Sequence, residues 1–252
     1  MNPLFWTFLS ASIISGFILT TLGGLPIFMF REIGHTRKYD ILNAYAAGIM
    51  LAASIFSLLL PGLDLGGANA VGIGFVLGMM FILVLKDRVH VFYYKIKEEK
   101  AASNEVLLKA IVIFSAITLH NFPEGMSVGI AFASGITTLG FNVALAIGIQ
   151  NIPEGFAVAV PLIKSGMSKK KAFLFSALSG IVEPINGIFG FFLVLYIKSL
   201  LSYMFGFCAG AMMFVVINEM IPEAQHDEYL DKSSLALMLG FLTMFILDVS
   251  LG

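Results

Sequence analysis

Apolar residues in this chain fall into long blocks separated by short polar clusters, and the blocks recur from the first turn to the last residue. Read against glycine, proline and charge punctuation, they predict eight helical spans at 4–30, 40–62, 66–85, 106–134, 138–163, 170–197, 199–222 and 233–251. Each block is close to the roughly 20 residues that a helix needs to cross about 30 Å of hydrocarbon. Membrane barrels show short alternating segments instead, so helices are the spanning form expected here. The predicted fold is an all-α membrane bundle, a single transmembrane domain over 1–252.

Composition agrees with a lipid solvent. The chain is 58% hydrophobic and 12% charged, against roughly 45–50% and 25% in soluble domains. A net charge of −1 and the lack of a basic or acidic tail give no reason to expect nucleic acid as a partner. The single cysteine, Cys208, excludes a disulfide framework within the chain and a multi-cysteine cluster, and reads as a small buried hydrophobe. The opening Met1-Asn2-Pro3-Leu4-Phe5-Trp6 has no basic n-region, and the run it starts reaches Phe30 without a small-residue cleavage site. It reads as a retained span.

Charge then orients the bundle. Arg31, Arg37 and Lys38 fall in the first loop, Lys86, Arg88, Lys95, Lys97, Lys100 and Lys109 in the third, Lys164, Lys169, Lys170 and Lys171 in the fifth, and Lys232 in the seventh. These are fourteen of the fifteen basic residues, and only Lys198 lies on the other side. Positive charge stays in the cytoplasm, so both termini are expected to be extracytoplasmic. The stretch from Lys86 to about Glu105 is expected to be a solvated connector near the cytoplasmic headgroups. His90 within it, and His35 and His226 in other loops, read as isolated surface histidines rather than ligands.

Ionisable residues inside a span cost at least about 2.5–3.5 kcal/mol, and four of them require explanation: His120 and Glu124 in the fourth span, Glu154 in the fifth and Glu183 in the sixth. Uncharged polar residues accompany them at Asn121, Gln150, Asn151 and Asn186. The fourth and fifth spans repeat one motif. His120-Asn121-Phe122-Pro123-Glu124-Gly125 matches Gln150-Asn151-Ile152-Pro153-Glu154-Gly155 at a constant offset of 30 residues. A short connection makes these spans antiparallel, so two similar motifs meet near mid-membrane, where transporters commonly place a substrate site.

Positions four apart share a helix face, so His120 is expected to stand over Glu124 and Gln150 over Glu154, each pair a two-ligand clamp. The prolines remove the helical partner of the Leu119 and Ile149 carbonyls and bend the helices, and Gly125 and Gly155 permit close helix contact. One imidazole, three carboxylates and several amide oxygens suit a borderline divalent cation such as Zn²⁺ or Fe²⁺. Without thiolates the binding stays moderate, as a carrier requires. The plainer reading is that these groups only cross-link helices, at about 0.6 kcal/mol per hydrogen bond. An intramembrane zinc hydrolase and a proton-coupled carrier of another ion are the competing classes. Against the first, one of the four histidines lies in a span and no hydrolase motif appears. The second leaves His120, Gln150 and the duplicated asparagines unexplained.

These motifs resemble the ZIP (Zrt/Irt-like) family of divalent-metal transporters, and the length and pattern look like its GufA-like branch. The resemblance extends through Gly48-Ile49-Met50-Leu51, Ser57 and Pro61 in the second span, Glu183-Pro184 in the sixth and Asn218-Glu219-Met220-Ile221-Pro222-Glu223 in the seventh. It implies inward transport of Zn²⁺, and also Fe²⁺, Mn²⁺ or Cd²⁺, by alternating access. The metal is then substrate, with no separate cofactor. It further implies inverted repeats of helices 1–3 and 6–8 around a central 4/5 pair, a homodimer in the lipid bilayer, and an integral multi-pass location in a bacterial or archaeal cell membrane. By position, one metal would take His120, Glu124, Gln150 and Glu154. A second would take Asn121, Asn151 and Glu183, with Glu124 and Glu154 bridging. Met50 would face the pathway, Asp64 and Asp248 would lie near the external mouth, and Asn218, Glu219 and Glu223 would line the exit. Binuclear members can carry Asp at the place of Asn151; with three carboxylates for two divalent ions, one well-held metal and a weak second are expected.

Overall fold

A computed structural model describes residues 3–29, 37–99, 105–224 and 230–251, and these are helical apart from short connections, with no strand among them. His35 and His226 lie outside the described residues, as does the side chain of His90. In chain order the helices are α1 (Pro3–Phe28), α2 (37–66), α3 (68–99), α4 (Glu105–Ala133), α5 (Thr137–Lys164), α6 (Lys169–Tyr196), α7 (Lys198–Ala224) and α8 (Leu230–Leu251). Among the described residues, six stretches are long and apolar enough to cross a membrane: Pro3–Phe28, Asp40–Val89, Thr137–Lys164, Lys169–Tyr196, Lys198–Ala224 and Leu230–Leu251. The chain is therefore an all-α, integral multi-pass membrane protein. The 29-residue α4 lies outside that set and holds the first motif.

Asp40–Val89 is one 50-residue stretch, which would run about 75 Å as a straight helix. It does not stay straight. Gly67 sits at φ 78° and ψ 171°, a conformation open only to glycine at little cost, and divides α2 from α3. A tighter reversal joins α4 to α5, where Gly135 at φ 86° donates its N–H to the Phe132 carbonyl.

The connector expected after Lys86 is instead helical to Glu99. Hydropathy marks only where lipid ends, whereas Lys, Arg and Glu continue a helix readily in water. Three π-helical turns were also invisible in the periodicity: Ile13–Ile18 in α1, Ser54–Leu59 in α2 and Val216–Met220 in α7. Such turns widen the helix locally and re-aim side chains, often at functional sites.

Packing is reciprocal. Helix α4 lies along α6 as α5 lies along α1, and α3 lies along α7 as α8 lies along α2. Glycine makes each of these contacts close. A methyl group added at Gly125 would strike the Glu183 backbone, at Gly155 the Thr20 carbonyl, at Gly74 the Tyr203 carbonyl and at Gly48 the Leu237 carbonyl. Phenylalanines fill the space between α1, α4 and α6, with Phe8 stacked on Phe191 at 4.9 Å between ring centres. The site helices α4, α5 and α6 are thus held by backbone-to-backbone contact, and their polar groups are fixed to within the play of single side chains.

Candidate metal centre

Helices α4 and α5 run unbroken through Pro123 and Pro153 and present their motifs to each other. The pairing differs from the expected clamps along one helix. Gln150 on α5 faces Glu124 on α4, and Asn121 on α4 faces Glu154 on α5. Two antiparallel helices carrying the same motif meet crosswise, so each amide finds the carboxylate of the opposite helix.

Burial gives this crossing its chemistry. Asn121 and Asn151 are fully buried, and Glu124, Gln150 and Glu183 nearly so. Five of the oxygens here are buried without a hydrogen-bond partner: Asn121 Oδ1, Glu124 Oε2, Gln150 Oε1, Asn151 Oδ1 and Glu154 Oε1. Each such orphan costs about 1–3 kcal/mol, and every one of them is an acceptor. A neighbourhood of unpartnered oxygens, with the carboxyls of Glu124, Glu154 and Glu183 in electrostatic reach of one another, is relieved by a cation and worsened by an anion.

Glu183 is differently placed. Asn151 Nδ2 donates to its Oε1 at 2.8 Å and its Oε2 at 2.9 Å, and Asn121 Nδ2 approaches Oε1 at 3.5 Å. The same amides donate to backbone carbonyls, Asn151 to Ser15 at 2.9 Å and Asn121 to Ser179 at 3.2 Å. Gly16, inside the π-turn of α1, leaves the room: a Cβ there would lie 2.7 Å from that of Glu183. Glu183 therefore ties α6 to α1, α4 and α5.

His120 turns toward α7. Its Nε2 lies 2.6 Å from Glu219 Oε2, and Lys86 Nζ lies 3.3 Å from Glu219 Oε1. Among the described residues, no three His, Cys, Asp or Glu side chains stand together in metal-ligating geometry, and the engagement of His120 with Glu219 agrees with that. Of the seven residues picked from sequence, Asn121, Glu124, Gln150, Asn151 and Glu154 thus offer free oxygens, Glu183 is bound to amides and His120 has another partner.

The outlying positions scatter. Met50 is buried in the apolar core, and Asp64, Asn218 and Glu223 are exposed. Asp248 accepts a 2.6 Å hydrogen bond from Ser57, within the π-turn of α2. Sequence reasoning missed Lys86, which it counted as a loop charge, and the Ser15 and Ser179 carbonyls, which carry no side-chain signal at all.

A family model described as ZIP zinc transporter matches residues 96–248. The chain is 34% identical to zinc transporter GufA of Myxococcus xanthus, over 97% of this chain and 98% of that one. It is 37% identical to zinc transporter ZIPB of Bordetella bronchiseptica, over 94% of this chain and 79% of the other. Human zinc transporter ZIP11 is 30% identical, with 93% and 94% covered.

Proposed function

The chain belongs to the ZIP zinc transporter family, and on that premise we propose that it carries Zn²⁺ and related divalent ions into the cytoplasm through the crossing of α4 and α5. It is a transporter rather than an enzyme, and zinc is its substrate. The observation that carries the assignment to this crossing is the set of five buried, unpartnered oxygens drawn from both copies of the repeated motif. They offer a divalent ion hard ligands without thiolates, so the ion is held and can leave.

The ion bound there takes Glu124, Gln150, Asn121 and Glu154, with His120 added when its ring turns inward. A second strongly held ion is not expected. Glu183, the carboxylate it would need, already accepts from Asn151 through both oxygens, which supports that reading.

The proposal includes eight spans, both termini outside, and an inverted repeat of α1–α3 with α6–α8. Fourteen of fifteen basic residues at the odd-numbered connections or on the helix segments flanking them support the orientation. Reciprocal packing supports the repeat: exchanging α1 with α6, α2 with α7, α3 with α8 and α4 with α5 maps each strong helix contact onto another. Alternating access then exposes one mid-membrane site to either side.

The test is zinc entry into proteoliposomes loaded with a zinc-sensitive dye, for wild type beside Glu124→Ala and His120→Ala, with Fe²⁺, Mn²⁺ and Cd²⁺ as competitors. Flux lost in both folded variants supports the proposal. Wild-type protein that binds zinc tightly and passes none overturns it in favour of a sensor or a membrane metalloenzyme.

A further inference from the structure

We propose that Lys86 is a positioning residue for ion release, holding the Glu219 carboxylate where it draws His120 away from the ion. The inference rests on the reading of His120 as a ligand. Three helices meet at this point. His120 comes from α4, Glu219 from the π-turn Val216–Met220 of α7, and Lys86 from the stretch of α3 just past its apolar run.

With Nε2 as the ligating atom, the geometry makes two states of that nitrogen exclusive. Each imidazole nitrogen has one in-plane direction for a partner, an N–H to donate or a lone pair to offer. At 2.6 Å from Glu219 Oε2, Nε2 is engaged and unavailable to an ion among the neighbouring oxygens. When an ion takes its lone pair, the ring hydrogen sits on Nδ1 and Glu219 loses its partner. The imidazole is also the ligand that suits the site to zinc rather than to harder cations. Its withdrawal leaves the ion on amide and carboxylate oxygens alone and loosens it.

Glu219 by itself would work the other way. With only 20% of its side chain exposed, an unaccompanied carboxylate at the edge of the site is one more oxygen ligand and one more negative charge, and it would retain a departing cation. Lys86 prevents this. Its ammonium engages Oε1 at 3.3 Å, offsets the charge, and leaves Oε2 directed at His120. Lysine suits the task as a point charge on a flexible stem, able to occupy one carboxylate oxygen without claiming both. Glu219 lies within the π-turn of α7, a widened turn of the kind that re-aims side chains relative to a regular helix.

The experiment measures initial Zn²⁺ flux against zinc concentration in proteoliposomes for the full chain as wild type, Lys86→Gln, Glu219→Gln and the double variant. Lys86→Gln is expected to lower KM and Vmax together, each on the order of fivefold, because the ion gains an unpaired carboxylate and leaves slowly. In the Glu219→Gln background the same change at Lys86 is expected to do nothing further, since the carboxylate it positions is gone. A Lys86→Gln protein with KM unchanged or raised, or an equal Lys86 effect in both backgrounds, overturns the inference.

Nitrogen NMR on histidine-labelled wild-type chain reads the exchange without any substitution at Lys86, with the His120 signal assigned by its loss in His120→Ala. Its Nε2 is expected to report an N–H bonded to carboxylate without zinc and a zinc-bound nitrogen with it; an Nε2 signal that zinc leaves unmoved counts against the exchange. The underlying reading fails separately, if His120→Ala carries zinc as wild type does. Flux lost in His120→Ala with Lys86→Gln kinetically normal removes only the positioning role.

Discussion

The Asn151 side-chain amide donates to both oxygens of the Glu183 carboxylate, at 2.8 and 2.9 Å, in a place closed to solvent. One N–H of that amide goes to the Ser15 carbonyl, so the other is shared between the two carboxylate oxygens in a three-centre bond. The pair belongs to α5 and α6, and through the Ser15 carbonyl it reaches α1 as well.

Asn151→Asp removes the donor and adds a fourth carboxyl beside Glu183. Without zinc the variant is expected to be less stable than wild type by about 1–3 kcal/mol, the usual cost of an unsatisfied buried group. With zinc, bound metal per chain rises from one ion to two. Elemental analysis of purified, zinc-equilibrated protein checks the stoichiometry, and two ions already present in wild type would sink the prediction.

Glu124→Gln keeps the volume and one acceptor oxygen while removing the charge. Zinc flux is expected to fall by more than the roughly 10–100-fold that loss of an outer-shell partner causes, with the thermal midpoint unchanged or higher, because three carboxyls in reach become two. A variant that transports normally would move the ion away from this crossing.

Gly125→Ala and Gly155→Ala place a methyl group against the Glu183 backbone and the Thr20 carbonyl. Both are expected to lose about 1–3 kcal/mol or more, as overpacked sites do. Gly72→Ala, whose added carbon meets nothing within 4 Å, should be neutral or slightly stabilising, since alanine is the better helix former. Thermal unfolding in detergent separates the two outcomes.

Orientation is read by thiol labelling. Cys208 is buried, so the native chain gives little background. An impermeant maleimide applied to intact cells is expected to label Thr137→Cys at the start of α5 and to spare Ser168→Cys before α6. The reverse pattern would invert the topology.

Much of the fold was legible because lipid imposes a strict rule: each backbone polar group must be satisfied within its own segment, so long apolar runs are helices. Helix ends after Phe28, Ala133, Lys164 and Tyr196 fall within about two residues of the blocks read from sequence. The run past Lys86 was misread because charge marks the edge of lipid, not the end of a helix. The repeated motif disclosed the polar residues of α4 and α5, since their insertion cost makes them conspicuous. Their partners were less legible. The expectation that His120 stands with Glu124 used only the geometry of one helix, whereas its contact with Glu219 depends on how α4 meets α7 and on a π-turn with no signature in the side-chain pattern.

The glycines that let carbonyls of one helix press on the backbone of the next have a consequence for how this chain can vary. At Gly48, Gly74, Gly125 and Gly155 even the smallest side chain is excluded by main-chain atoms, which no compensating change of a neighbouring side chain can remove. Exposed apolar positions such as Leu77, Ile185 and Met238 can exchange among apolar residues with little penalty. Genetic tolerance is therefore expected to divide sharply: drift around the perimeter, and a set of helix contacts as intolerant of substitution as the ligands themselves.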